Sequence, residues 1–166
     1  QALHGRLHKC VILDLDNTLW GGIIGDDGIE NIQIGELGQG RAFTDFQRWL
    51  KELKNRGILL AVCSKNQEYI AKEPFISHPE MTLHLDDFVI FVANWQDKAT
   101  NVQYIRDKLN IGIDSMVFVD DNPFERNLVR TAFPELTVPD LPEDPAQYVG
   151  YLKSLNLFET ASFSDE

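Results

Sequence analysis

Short, unbroken apolar runs alternate along this chain with stretches whose apolar residues return every three or four positions. Cys10-Val11-Ile12-Leu13, Ile58 to Ser64 and Ser115-Met116-Val117-Phe118-Val119 are continuous enough to fill strands buried on both faces. A further strand is expected across Phe88 to Ala93, and Leu136-Thr137-Val138 reads as an edge strand. Between the runs, Phe43, Phe46, Leu50 and Leu53 trace one helical stripe that Gly57 ends. Val102, Ile105 and Leu109 trace another, with Asp97 placed to cap it. Asn66 is expected to cap the helix after the second long run. Asn122, Pro123 and Glu125 read as N-cap, first residue and capping-box partner of a later helix. Pro139, Pro142 and Pro145 punctuate the approach to a last helix around Ala146 to Leu155. Trp20 to Ile29 looks like a small hairpin turning at Asp27-Gly28, free to flap over whatever lies beyond the first strand. Strand and helix periods alternate, so the expected class is α/β.

Composition narrows this to one domain. At 166 residues, 43% hydrophobic and 25% charged, the chain can bury one sizeable core over residues 1–166, with 1–8 and 158–166 expected to be peripheral or frayed. A formal net charge of −11 argues against a nucleic-acid or anionic-membrane surface, because both are held by clustered Lys and Arg. Residues 134–166 carry seven acids against Lys153 alone, which reads as a solvated face rather than a docking strip. Two cysteines in unrelated segments give no disulfide framework. No charged-then-apolar leader or long apolar run is present, so a cytoplasmic setting is expected.

Candidate chemistry sits at the ends of two apolar runs. Asp14 and Asp16 follow the first at a spacing of two, which in an extended chain puts both on one side while Leu15 returns to the core. An N-capping Asp plus a turn Asp would explain that pair equally well. Asp120 and Asp121, however, end a second run in the same way. Ligands of open parallel sheets lie beyond the carboxyl ends of the strands, so neighbouring strands would bring three or four carboxylates together. Such an oxygen-only site suits Mg²⁺ better than zinc. His4, His8, His78 and His84 have no ligand spacing.

A strand ending Asp14-Leu15-Asp16-Asn17-Thr18-Leu19, a strand ending at Ser64, an isolated Lys98 and a strand ending Asp120-Asp121 resemble the four ordered motifs of the haloacid dehalogenase superfamily. Within it, Leu13 to Gly22, Cys63-Ser64-Lys65-Asn66, Asn94 to Ala99 and Val119 to Arg126 resemble the FkbH-like glyceryl transferase/phosphatases. The resemblance implies a Rossmann-like three-layer sandwich around a mainly parallel sheet. It also implies an enzyme of polyketide assembly that takes a glyceryl unit from 1,3-bisphosphoglycerate, or a related acyl phosphate, and loads it on the phosphopantetheine of an acyl carrier protein. Gln67 departs from the family pattern, where an acid is frequent. No large insertion separates the first strand from the Phe43 helix, or the second from Lys98, so no cap domain is expected. An open mouth suits a substrate carried on a protein.

Roles follow from phosphoryl-transfer physics, in which positioning and charge neutralisation dominate. Asp14 suits the nucleophile, forming an aspartyl-phosphate, and Asp16 suits the group that protonates the leaving oxygen and later deprotonates water. By resemblance, Asp16 also gives its backbone carbonyl to the metal, Ser64 binds the phosphate and Lys98 neutralises it, with Asn17, Thr18, Lys65 and Asn66 around the substrate. Lys98 is independently notable, since a cation in the first turn of a helix opposes the helix dipole. Asp121 is expected as the direct metal ligand, with Asp120 either ligating instead or orienting Lys98. Cys63 is expected to face the crevice, its thiol acidified by Mg²⁺ or Lys98, and to hold the glyceryl group as a thioester. An inert core cysteine is its plain alternative, and Cys10 keeps that reading. Trp20 and Trp95 could pack over substrate or serve as scaffold, and Arg126 could face the anion or pair with Glu125 or Asp121. Two other functions compete: a stand-alone phosphatase for phosphosugars or phosphoproteins with no use for Cys63, and a non-catalytic scaffold that docks a carrier protein.

Overall fold

The structure, a computed structural model, describes residues 7–158. The apolar runs become β1 (Cys10–Leu13), β2 (Leu59–Lys65), β3 (Ile90–Asn94) and β4 (Met116–Val119), all parallel and ordered β3-β2-β1-β4. The helices are α1 (Ile24–Asp27), α2 (Gly40–Asn55), α3 (Glu68–Ser77), α4 (Lys98–Leu109), α5 (Pro123–Ala132) and α6 (Tyr148–Ser154).

Side-chain alternation divides each strand between two apolar layers. Val11, Leu13, Leu60, Val62, Val117 and Val119 pack with Phe46, Leu50 and Leu53 of α2, Phe75 of α3 and Leu152 of α6. Cys10, Ile12, Ala61, Cys63, Met116 and Phe118 pack with Val102 and Ile105 of α4 and Val129 of α5. The result is the expected three-layer α/β sandwich, and among the described residues no inserted cap domain interrupts it. None of its helices is long and apolar enough to cross a membrane.

Several helix ends follow their local chemistry. Gly57, at φ +98°, ends α2: its N–H reaches Lys54 O at 3.0 Å and the Ile58 N–H reaches Leu53 O at 3.0 Å, which closes a Schellman motif. Asp97 accepts from the Thr100 N–H at 2.8 Å and Asn122 from the Phe124 N–H at 2.8 Å, so both are N-caps as expected.

Other local expectations fail for identifiable reasons. The Trp20–Ile29 segment is not a hairpin. A single antiparallel bridge joins Gly21 to Gln33, and α1 fills the space between, with Gly28 using its positive φ of 79° as a helix cap. Asn66 does not cap α3, because its amide is bonded to Asp16 and Ser64, and Gln67 takes the cap position. Glu125 forms no capping box, since the Asn122 N–H is taken by Asp120 Oδ1 at 3.0 Å. Leu136-Thr137-Val138 contributes one bridge, Thr137 to Val117, rather than a strand. The ends of the described chain are tied down. His8 is buried, its ring bonding Leu157 O and Thr137 Oγ1 at 2.9 Å each, and Phe158 packs edge-on against Trp49. The rest of the expected fraying, at residues 1–6 and 159–166, lies outside the described residues.

Candidate active site

Register brings the acids together. Leu13 pairs with Val62 on one side and with Val119 on the other, so Asp14 and Asp120 leave adjacent strands at the same level. The Asp14 N–H extends the ladder by donating to Val119 O at 3.0 Å. Alternation turns both side chains toward the α4 layer. There Lys98, the first residue of α4, meets them with its Nζ at 2.8 Å from Asp14 Oδ1 and 2.5 Å from Asp120 Oδ2. All three are nearly sealed from solvent, at 6%, 0% and 4% exposure for Asp14, Asp120 and Lys98. The Thr18 hydroxyl lies 3.2 Å from Asp14 Oδ2 and 3.3 Å from Asp121 Oδ1, linking the third acid to the first.

Asp14, Asp120 and Asp121 each offer an oxygen within 4.8 Å of the others. Three carboxylates face one ammonium, and the protonation equilibria register the imbalance. Burial opposes the charge of Lys98, yet Asp14 and Asp120 hold its pKa well above the ordinary lysine value, so it stays cationic. Burial and the Asp14 charge push Asp120 up to about 7. Burial, the bond to Asp14 and the neighbouring negative charges push Asp121 up to about 8. A hard, oxygen-only donor set with negative charge to spare fits a divalent cation of the Mg²⁺ type. Both oxygens of Asp120 are engaged, Oδ2 by Lys98 and Oδ1 by the Asn122 N–H, which leaves Asp14 and Asp121 as the side chains best placed to hold it.

Asp16 departs from the expected arrangement. Its carboxylate is not in the cluster, because β1 ends at Leu13 and the chain folds back through a turn in which the Thr18 and Leu19 N–H groups donate to Leu15 O. Asp16 Oδ1 instead accepts from the Ile24 N–H at 2.8 Å and Trp20 Nε1 at 3.0 Å, and Oδ2 accepts from Asn66 Nδ2 at 3.0 Å. Burial raises its pKa, against those three donors. Asn66 Nδ2 also lies 3.0 Å from Ser64 Oγ, so one amide ties the Asp16 loop to the end of β2.

Cys63 was expected to face the crevice and is instead buried. It occupies the same row as Asp14 but is fully buried among Ile12, Ala61, Val92 and Phe118. Burial pushes its thiol up to about 12, against a smaller opposing pull from Lys98, which is the reverse of an activated thiolate. Lys65 stands at the rim with Nζ 3.8 Å from Glu125 Oε2. Asn17, at φ +61°, uses its polar groups on the loop: its Oδ1 accepts from the Gly22 N–H and its carbonyl from Tyr148 Oη at 2.9 Å. Trp20 is core scaffold and Trp95 is exposed.

Three contributors act otherwise than the sequence suggested: Arg126, expected to face the anion or pair with Glu125 or Asp121, Tyr148, which the sequence did not single out, and Glu125. Arg126 donates through Nη1 to both Asp120 O and Asp121 O at 3.1 Å. Tyr148 clamps Asn17 from a helix some 130 residues later in the chain, a contact with no local signal. Glu125 turns inward, and its position three residues after Asn122 disguised it as a cap partner. A cleft of about 400 Å³ beside Asp121, lined also by Asn17, Arg126 and Tyr148, meets a larger one of about 840 Å³ at Asn17, Phe43 and Pro145.

No family model matches the chain, and no curated protein does. Solved structures do. The N-terminal part of protein BF1531 from Bacteroides fragilis, which contains a phosphatase domain and is complexed with Mg, is 66% identical over 98% of this chain with a TM-score of 0.93. The chain spans 43% of the length of that solved N-terminal part. A HAD-family enzyme, bt-2542 of Bacteroides thetaiotaomicron in complex with magnesium and inorganic phosphate, is 12% identical over 82% of this chain and 95% of its own, with a TM-score of 0.54. The HAD domain of the effector protein Lem4 from Legionella pneumophila is 17% identical over 91% of this chain and 95% of its own, with a TM-score of 0.58. The last two share the fold alone. The fold is thus one that HAD-family proteins share, and the similarity in sequence is to a phosphatase domain complexed with Mg.

Proposed function

We propose that this chain is a Mg²⁺-dependent phosphatase that works through phosphorylation of Asp14. The observation that carries the proposal is the buried Lys98 ammonium bonded to both Asp14 and Asp120 beside a third acid. A lysine sealed under carboxylates has one evident chemical use: to hold Asp14 in place and to offset the charge of an arriving phosphate. Similarity to the Mg-complexed BF1531 phosphatase domain supports the same reading.

The steps follow from the donors present. The substrate phosphate sits where Lys98 Nζ and Ser64 Oγ can bind it, and an Asp14 carboxylate oxygen attacks phosphorus in line. The bond to the leaving oxygen breaks while Asp16, its pKa raised by burial, gives that oxygen a proton. Water then attacks the phosphorus of the aspartyl-phosphate, Asp16 takes the water proton, and inorganic phosphate and free Asp14 result. Asp14 and Asp121, with the Asp16 carbonyl, would hold Mg²⁺, which would supply charge neutralisation for the arriving phosphate.

Glyceryl loading from 1,3-bisphosphoglycerate onto an acyl carrier protein is the second reading. The capless mouth favours it and the burial of Cys63 opposes it. One set of assays separates the two. The phosphatase proposal expects Mg²⁺-dependent hydrolysis of an aryl phosphate that is lost in Asp14→Asn and kept in Cys63→Ala. Hydrolysis that survives Asp14→Asn contradicts it. A glyceryl-sized adduct after mixing with the bisphosphate, seen by intact-protein mass spectrometry and absent from Cys63→Ala, would establish the transfer reading.

A further inference from the structure

We propose that Arg126 is a positioning residue that curls the Asp120-Asp121 backbone, so that Asp121 turns to the cation site on the same side as Asp120, which holds Lys98. The inference rests on the proposed role of Asp121 as a Mg²⁺ ligand.

Strand geometry makes the arrangement anomalous. Consecutive residues of an extended chain face opposite sides of the sheet, and β4 obeys this up to its end: Phe118 joins the α4 and α5 layer, Val119 the opposite one. Continued one step, the pattern sends Asp120 to Lys98, as observed. Continued two steps, it sends Asp121 away toward the α2 layer. Asp121 nonetheless keeps an oxygen within 4.8 Å of those of Asp14 and Asp120.

Consecutive carbonyls of an extended chain also point in opposite directions, beyond the reach of one donor. A single nitrogen, Arg126 Nη1, stands 3.1 Å from Asp120 O and 3.1 Å from Asp121 O. Both carbonyls have therefore turned to one side, and the side chains they carry have turned with them. The guanidinium is itself firmly placed. Arg126 is 8% exposed, its Nη1 is held by the two carbonyls, and its Nε, which makes no hydrogen bond, lies 3.5 Å from Asp140 Oδ1 as an ion pair. Thr18 reaches the Asp121 carboxylate but none of this backbone. Arg126 also adds a fixed positive charge behind three carboxylates, where a neutral donor would leave their repulsion untouched.

Calorimetric titration of the metal-free protein with Mg²⁺ reads the effect directly, without turnover. Arg126→Met keeps the bulk and removes the donors. The expected result is Mg²⁺ affinity weakened roughly tenfold to hundredfold, the usual cost of losing a residue that orients a ligand, with the far-ultraviolet spectrum unchanged. Arg126→Lys, which keeps the charge and can serve one carbonyl, should fall between Met and the parent. Arg130→Met, which also loses a contact to Asp140 but touches neither carbonyl, should bind as the parent does. An affinity in Arg126→Met within about twofold of the parent overturns the inference. If that variant does not fold, parent-like affinity in Arg126→Lys overturns it instead. A parent protein that binds no Mg²⁺ overturns the proposed function as well, whereas a parent that binds and variants that match it overturn this inference alone.

Discussion

Asp120 and Asp121 carry the clearest thermodynamic signature of the site. Their pKa values, pushed up to about 7 and about 8, compare with about 3.9 for an aspartate in the unfolded chain. Across that window the folded protein holds more protons than the unfolded one, so stability is full below pH about 4 and falls as pH rises through 7 and 8. Thermal melts in chelator should show a lower Tm near pH 8.5 than near pH 5, and Mg²⁺ should restore most at the alkaline end, where the acids are bare. A Tm in chelator that rises over this interval would contradict the charge balance described here. At this scale the residue types at Asp14, Lys98, Asp120 and Asp121 were legible, because strand ends and helix starts declare themselves by pattern. The surroundings of Cys63 were not. Its row was readable, but whether the sulfur met solvent or Val92 and Phe118 depended on how α4 packs over the sheet, which no local spacing encodes.

Elements were legible where a chemical stop coincided with a change of period, as at Gly57, Asp97 and Asn122. They were misread where a polar side chain had a distant partner that outcompeted the local one. Asn66 was expected to cap a helix and instead spans Asp16 and Ser64; Glu125 was expected to close a capping box and faces Lys65. The flap segment failed differently, since Asp27-Gly28 satisfies a hairpin turn and a helix cap equally well, and Ile24 inserting into the core selects the helix. The opening of α2 is fixed by a close approach. A Cβ at Gly40 would stand 2.7 Å from the Ile34 backbone nitrogen and carbonyl carbon, which cannot swing aside as a side chain would. Gly40→Ala should therefore lower the Tm, although alanine in a helix ordinarily gains about 1 kcal/mol over glycine. A higher Tm in urea- or heat-induced unfolding would show that the 34–40 loop yields without cost.

At the scale of the whole molecule, the sheet order β3-β2-β1-β4 does the assembling: it sets the carboxyl ends of β1 and β4 side by side and lets α4, which returns from β3, drop Lys98 between them. That order was legible only as a requirement, because the converging acids demanded adjacent strands. The long clamp from Tyr148 to Asn17 and the curl imposed by Arg126 belong to tertiary packing and left no trace in periodicity. The chain spans 43% of the length of the solved N-terminal part of BF1531. Phosphorylation of Asp14 is the step on which the proposed reaction turns. Acid quenching after brief mixing with Mg²⁺ and an aryl phosphate, followed by peptide mapping, tests it most directly. The expected result is one phosphoryl group on the peptide bearing Asp14, accumulating further in Asp16→Asn, where release to water is slowed. A phosphoryl group on Ser64 or Cys63, or turnover with no trapped phosphoryl in either protein, would contradict it.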